Sequence, residues 1–94
     1  MADHKFDGTE LRHRSGSKLA VFDGKYLRDD RGNKVGEIDG KYFRDSRGSR
    51  VGEFDGKILR DVRGSKIGTI DDIDKAIDGI GGASKAAMWL FFVR

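Results

Sequence analysis

Apolar residues along this chain come in short runs interrupted by polar ones, and a glycine closes each run every eight residues, at Gly8, Gly16, Gly24, Gly32, Gly40, Gly48, Gly56 and Gly64. Runs of this length, rich in Val, Ile, Leu, Phe and Tyr and bounded by turn residues, predict strand, turn, strand, turn. The whole pattern recurs every 16 residues: 22–37 (FDGKYLRDDRGNKVGE), 38–53 (IDGKYFRDSRGSRVGE) and 54–69 (FDGKILRDVRGSKIGT) align without a gap. Residues 6–21 (FDGTELRHRSGSKLAV) form a more divergent copy, and a fifth begins at Ile70-Asp71 before leaving the pattern, as a terminal repeat that closes a stack often does.

Asp-Gly at 23–24, 39–40 and 55–56 suits a two-residue hairpin loop, because both residues tolerate positive φ, and the Arg-Gly or Ser-Gly pairs supply a second turn. With two-residue loops at both places, one row across the sheet reads Leu11, Ala20, Leu27, Gly36, Phe43, Gly52, Leu59, Gly68. Large and small residues alternate along it, as a narrow interior requires, and this row is the predicted core. The same register sets Asp29 against Lys34, Asp45 against Arg50 and Asp61 against Lys66, and puts Tyr26, Glu37, Tyr42, Glu53 and Ile58 on the other, half-exposed face.

A meander of this many short strands would leave two open edges, so closure into a small barrel-like or flower-like ring is expected. The segment 70–94 is the natural closing piece. Ile70, Ile73, Ile77 and Ile80 have helical spacing behind an Asp-rich start, Gly79, Gly81 and Gly82 stop the helix, and 83–88 can add one more turn. Trp89 to Val93 is β-prone and is expected either to pair with Asp3 to Phe6 or to plug the ring. The expected fold is thus an all-β meander of 16-residue hairpin repeats in one domain, 1–94, with a short helical segment and a closing strand.

Length and composition narrow the class. Ninety-four residues bury only about 60 to 65 percent of the unfolded surface, a modest core. Cysteine is absent, which excludes disulfides and thiolate metal sites. The apolar run 86–93 is far short of the roughly 20 residues that span a membrane, and Met-Ala-Asp-His-Lys-Phe has no apolar signal core, so a cytoplasmic location is the default expectation. The net charge of +3 is a small difference between 19 basic and 16 acidic residues, interleaved in every copy. No basic stripe stands free of acids, so specific nucleic-acid binding is not expected.

Copies of the type I/F-D-G-x-x-x-R-D-x-R-G-x-x-V/I-G-E, followed by an Ala-rich stretch and the aromatic run Trp89-Leu90-Phe91-Phe92, resemble the β-flower repeat proteins of bacteria over about residues 6 to 93. The resemblance implies short hairpins radiating as petals in four- or five-fold pseudo-symmetry. It implies no established activity.

The chemistry-bearing residues do not converge. Near-identical hairpins offer no small asymmetric constellation, and no nucleophile elbow, phosphate loop or paired-carboxylate signal is present, so a non-enzyme is expected, without cofactor. His4 lies near the terminus and His13 stands where other copies have Asp; both read as surface substitutions. Asp71, Asp72, Asp74 and Asp78 fail the calcium-loop spacing and read as helix N-terminal charge, so no metal site is expected. Tyr26, Arg28, Tyr42, Arg44 and Arg60 could present cations and aromatic faces repeatedly to a glycan, an acidic polymer or a protein; the plainer reading is that the arginines pair with Glu37 and Glu53. Trp89, Phe91 and Phe92 complete the core or, if exposed, form an interface. Two functions follow as expectations: a non-enzymatic binding or structural module, or a homo-oligomeric interaction module assembling through the C-terminal aromatic segment.

Overall fold

Among the described residues, ten short strands alternate with tight turns whose geometry their own side chains fix. The structure, a computed structural model, describes residues 2–79 and 82–93. The strands are β1 (His4–Phe6), β2 (Glu10–His13), β3 (Lys18–Phe22), β4 (Tyr26–Asp29), β5 (Lys34–Asp39), β6 (Tyr42–Asp45), β7 (Arg50–Phe54), β8 (Ile58–Arg60), β9 (Lys66–Thr69) and β10 (Ile77–Gly79). Helix α1 (Ile70–Ala76) lies between β9 and β10, and α2 (Ala83–Met88) runs directly into a π-helical stretch, Trp89–Val93. β1 to β9 form an antiparallel meander, and β10 adds to the free side of β1 in parallel.

The outer turn of each hairpin is a three-residue loop. In the second hairpin Gly32 N–H donates to Asp29 C=O (3.1 Å), Asp29 N–H donates to Asn33 C=O (2.9 Å), and Gly32 takes φ +88°. This is a type I turn ending in a left-handed glycine, and it carries a bulge into the strand beyond. Leu27 still faces Gly36, as predicted, but Arg28 then faces Lys34. The predicted Asp29–Lys34, Asp45–Arg50 and Asp61–Lys66 pairings are therefore not formed. The extra loop residue frees each aspartate to accept backbone N–H bonds instead, Asp29 from Arg31 and Asn33, Asp45 from Arg47 and Ser49, Asp61 from Arg63 and Ser65.

The inner turn is also shifted. Ile38, not Gly36, faces Phe43, and the loop residues are Gly40-Lys41 rather than Asp39-Gly40. Asp7, Asp23 and Asp55 support this arrangement: their carboxylates accept the N–H groups two and three residues on, with the aspartate before the loop and glycine first within it. These bonds depress the carboxyl pKa of Asp7, Asp23 and Asp55, chiefly through the N–H of Glu10, Tyr26 and Ile58 respectively, and that of Asp29 chiefly through Asn33 N–H. A lowered native pKa contributes stability that is fully present above the unfolded-chain value of about 4 and is lost as pH falls below it through the lower native value. The urea midpoint should accordingly be flat from about pH 7 to 5 and drop below about pH 4. Asp23→Asn and Asp55→Asn together should shallow that drop, since the amide oxygen still accepts the turn N–H but does not titrate.

All eight residues of the predicted core row are buried. Leu11, Leu27, Phe43 and Leu59 are fully enclosed and each faces Ala20, Gly36, Gly52 or Gly68 across its hairpin. The second helical element covers them. A Cβ on Gly68 would lie 2.6 Å from Trp89 Cη2, one on Gly52 would lie 3.5 Å from Leu90 Cδ2, and one on Gly36 would lie 2.6 Å from Phe91 Cζ. Three successive residues of the tail thus sit on three glycines spaced 16 apart, because successive side chains of the π-helical stretch point in different directions around its axis and reach different hairpins.

The tail consequently does not form the expected strand against Asp3 to Phe6. That place is taken by β10, with His4 facing Ile77 and Phe6 facing Gly79. Ring closure is not reached either. Thr69 and Asp72 form a reciprocal capping box that starts α1 immediately after β9, so the chain leaves strand geometry before it can pair across, and β9 and β10 remain the outer strands. Helix α1 ends at Ala76, earlier than the isoleucine spacing suggests, and Ile80 lies outside the described residues. Between the helices Lys85, only 5% exposed, donates to Asp74 at 2.8 Å, a buried ammonium with an ion partner that the sequence pattern did not single out.

Candidate functional site: the cation-bearing hairpin ends

The bulge that rearranges each outer turn also rearranges its charges. Arg12 faces Lys18, Arg28 faces Lys34, Arg44 faces Arg50 and Arg60 faces Lys66, so two cations stand directly opposite each other near the outer end of every hairpin. Like charges in this position repel. The first member of each pair is tied into the turn: Arg12, Arg28, Arg44 and Arg60 each donate from Nη1 to the carbonyl of Gly16, Gly32, Gly48 or Gly64, at 3.0 to 3.1 Å. Arg28 and Arg44 also donate from Nε to Asp23 and Asp39, at 3.2 and 3.3 Å, and Arg12 pairs with Glu10.

The second member is not tied. Lys18, Lys34, Arg50 and Lys66 are exposed and, among the described residues, form no ion pair; the same holds for the turn residues Arg31, Arg47 and Arg63. Lys34 and Arg50 instead lean over the aromatic faces of Tyr26 and Tyr42, 4.8 and 4.5 Å from the ring centres, with Lys25 and Lys41 at 5.4 Å. Glu37 and Glu53 meet Lys25 and Lys41, at 3.9 and 3.8 Å, and not the arginines that the plainer reading assigned to them.

The structure therefore brings Arg28 to the Tyr26 ring, 5.8 Å from its centre, puts Arg50 and not Arg44 over Tyr42, sets Arg60 at the equivalent place two residues beyond Ile58, and adds a row of cations that the sequence register had neutralised with aspartates. The signal for that row was present: Asp-x-Arg-Gly-x-Lys/Arg fits a three-residue loop with a final left-handed glycine as well as it fits a two-residue one.

Trp89, Phe91 and Phe92 lie elsewhere, half-buried and packed against the core. Of the C-terminal acids, Asp72 caps α1 and Asp74 holds Lys85; no cluster of three or more metal-ligating side chains occurs among the described residues. A pocket of about 340 Å³ near the β1–β10 seam is lined by Lys5, Phe6, Asp7, Asp78 and Gly79. Among the described residues no helix is long and apolar enough to cross a membrane.

Comparison with known proteins adds no further constraint: no family model, no curated protein and no solved structure matches the chain.

Proposed function

We propose that this chain is a non-enzymatic binding module, built from repeated hairpins in the manner of the β-flower proteins, and that its ligand is an acidic polymer. The observation that carries this reading is the directly opposed cation pair recurring in four hairpins at 16-residue intervals. Each pair sets two cationic residues opposite each other on adjacent strands, and a sulfate or phosphate group lying between them is attracted by both. Single contacts of this kind are weak, but a polymer that engages several of them binds with the avidity of the set. Neutral sugars are disfavoured, because the tyrosine faces on which they would stack are occupied by the protein's own lysines and arginine.

The test is calorimetric titration with inorganic polyphosphate and with a sulfated glycan, using the full chain and the variant Lys34→Gln, Arg50→Gln, Lys66→Gln. These three cations are preferable to Arg28, Arg44 and Arg60, whose removal would also loosen the turn carbonyls. The triple variant should keep its far-UV spectrum and melting temperature and lose at least about tenfold in affinity, which is about 1.4 kcal/mol. Equal binding by both proteins, or by neither, defeats the reading.

A further inference from the structure

The four outer turns share one backbone and differ in the group that fills them. The N–H of Gly16, Gly32, Gly48 and Gly64 donates to the carbonyl of His13, Asp29, Asp45 and Asp61, and the N–H of each of those residues donates back to Ser17, Asn33, Ser49 and Ser65. The four glycines have φ between +87° and +100°. A turn that passes from right-handed to left-handed backbone aims successive N–H groups into a shallow concavity, and such concavities bind anions.

Three of the turns carry their own anion. Asp29 Oδ1 accepts the N–H groups of Arg31 and Asn33, both at 2.9 Å. Asp45 Oδ1 does the same for Arg47 and Ser49, and Asp61 Oδ1 for Arg63 and Ser65, at 2.9 to 3.0 Å. The first turn has His13 where the others have aspartate. Its Nδ1 accepts the Ser15 N–H at 3.2 Å and lies 3.1 Å from Ser15 Oγ, and does not reach the Ser17 N–H as the carboxylate oxygens reach Asn33, Ser49 and Ser65. Among the described residues nothing accepts the Ser17 N–H, and Ser17 is exposed. Ser15 Oγ and Ser17 Oγ stand 3.4 Å apart, so two hydroxyls accompany the two N–H groups.

We propose that this first outer turn binds one tetrahedral oxyanion, a sulfate or phosphate group, with an oxygen at the place that Asp29, Asp45 and Asp61 fill in the other copies. That oxygen accepts the N–H groups of Ser15 and Ser17, the two hydroxyls donate to the remaining oxygens, and exposed Lys18, next in the chain, supplies opposite charge. The site is built on turn N–H groups and not on the opposed cations, so it stands or falls separately from the polymer reading.

His13 links the site to protons. The neutral ring accepts the Ser15 N–H at Nδ1, whereas the protonated ring carries a hydrogen there and sets two donors against each other. An oxyanion that accepts from both removes that conflict, so protonation of His13 and anion binding strengthen each other. The groups around His13 are the His4 ring facing it on β1, 5.4 Å away between centroids, the Arg14–Asp3 pair beside it, the Arg12–Glu10 pair on its own strand, and Lys18 at the head of β3. Imidazole is the side chain that changes charge between about pH 5 and 8, so His4 is the neighbour whose contribution has to be separated.

The experiment titrates sodium sulfate into the full chain, with sodium chloride holding ionic strength constant, and follows the backbone amides by nitrogen–proton NMR. The Ser15 and Ser17 amides should move together and saturate as a single site, with affinity at least fivefold higher at about pH 5.5 than at about pH 8. His4→Gln should keep that dependence. His13→Asp gives the first turn the residue of the other three, and should keep the fold and bind sulfate at least tenfold more weakly. The variant Lys34→Gln, Arg50→Gln, Lys66→Gln should bind sulfate at this turn as the parent does, whether or not it retains polyphosphate. A sulfated disaccharide in place of sulfate identifies the source: tighter binding at the same two amides assigns the site to a polymer group, weaker binding to the free anion. The proposal is overturned if the Ser15 and Ser17 amides do not respond, if they respond no more than those of Arg31 and Asn33, if pH leaves the affinity unchanged, or if His13→Asp binds as tightly as the parent.

Discussion

A chain ending at Ala87 should not fold. The truncation removes Met88, which is fully buried, and the half-buried Trp89, Leu90, Phe91, Phe92 and Val93, all packed against the core. Full burial of a large apolar side chain contributes about 1.5 to 3 kcal/mol, so one complete and five half burials come to roughly 5 to 10 kcal/mol. That is comparable to the whole stability of a typical domain, about 5 to 15 kcal/mol. Circular dichroism of the truncated chain should show loss of the native spectrum, and light scattering of the intact chain should give a monomer. An intact oligomer that truncation converts into a folded monomer would instead make the aromatic segment an interface.

The second large effect is expected at the glycine seats beneath that segment. A methyl group on Gly36 would meet Phe91 Cζ at 2.6 Å and the carbonyl oxygen of Arg44 at 2.8 Å, so both an aromatic ring and a neighbouring strand must move. Overpacking of this kind costs about 1 to 3 kcal/mol and more when the backbone is involved. Gly36→Ala should therefore lower stability by about 3 kcal/mol or more, read as a shift of the urea midpoint. Gly68→Ala differs in an informative way. Its closest contacts are Trp89 Cη2 and Cζ3, with no backbone atom among the nearest. Trp89→Phe withdraws those atoms, so the double variant should recover part of the loss, a positive coupling that Gly36→Ala with Trp89→Phe should lack.

These seats show how far the sequence could be read. Regular glycines and apolar runs were sufficient for the hairpins and for all eight core-row residues, because a period of two fixes which side chains face inward. The pairing between hairpins was off by two residues, which keeps every side chain on its face and so leaves no trace in the hydrophobic pattern. The turn itself decides it, with aspartate before the loop and a positive-φ glycine first within it, as at Gly24, Gly40 and Gly56. Trp89 to Val93 was read partly as a strand because aromatic and β-branched residues favour strands, yet tertiary context overrides that preference where Gly36, Gly52 and Gly68 offer seats to a helix. The candidate site was half visible. Tyr26, Arg28, Tyr42, Arg44 and Arg60 stood out by recurrence, whereas Lys34, Arg50 and Lys66 were hidden by a register that paired them with acids. The cross-strand pairing of His4 with His13 uses the inner-turn register that recurs at Ala20–Asp29 and Gly36–Asp45, so the two-residue misplacement of that turn hid it.

Distributed electrostatic contact is the centre of the account, and the salt dependence of polyphosphate binding tests it most directly. The logarithm of the association constant should fall linearly with the logarithm of salt concentration, because each neutralised phosphate releases a counterion. The slope should shrink in similar steps as Lys34, Arg50 and Lys66 are replaced by glutamine one after another. Binding that does not respond to salt, or that disappears with a single replacement and leaves the remaining cations without effect, would contradict it.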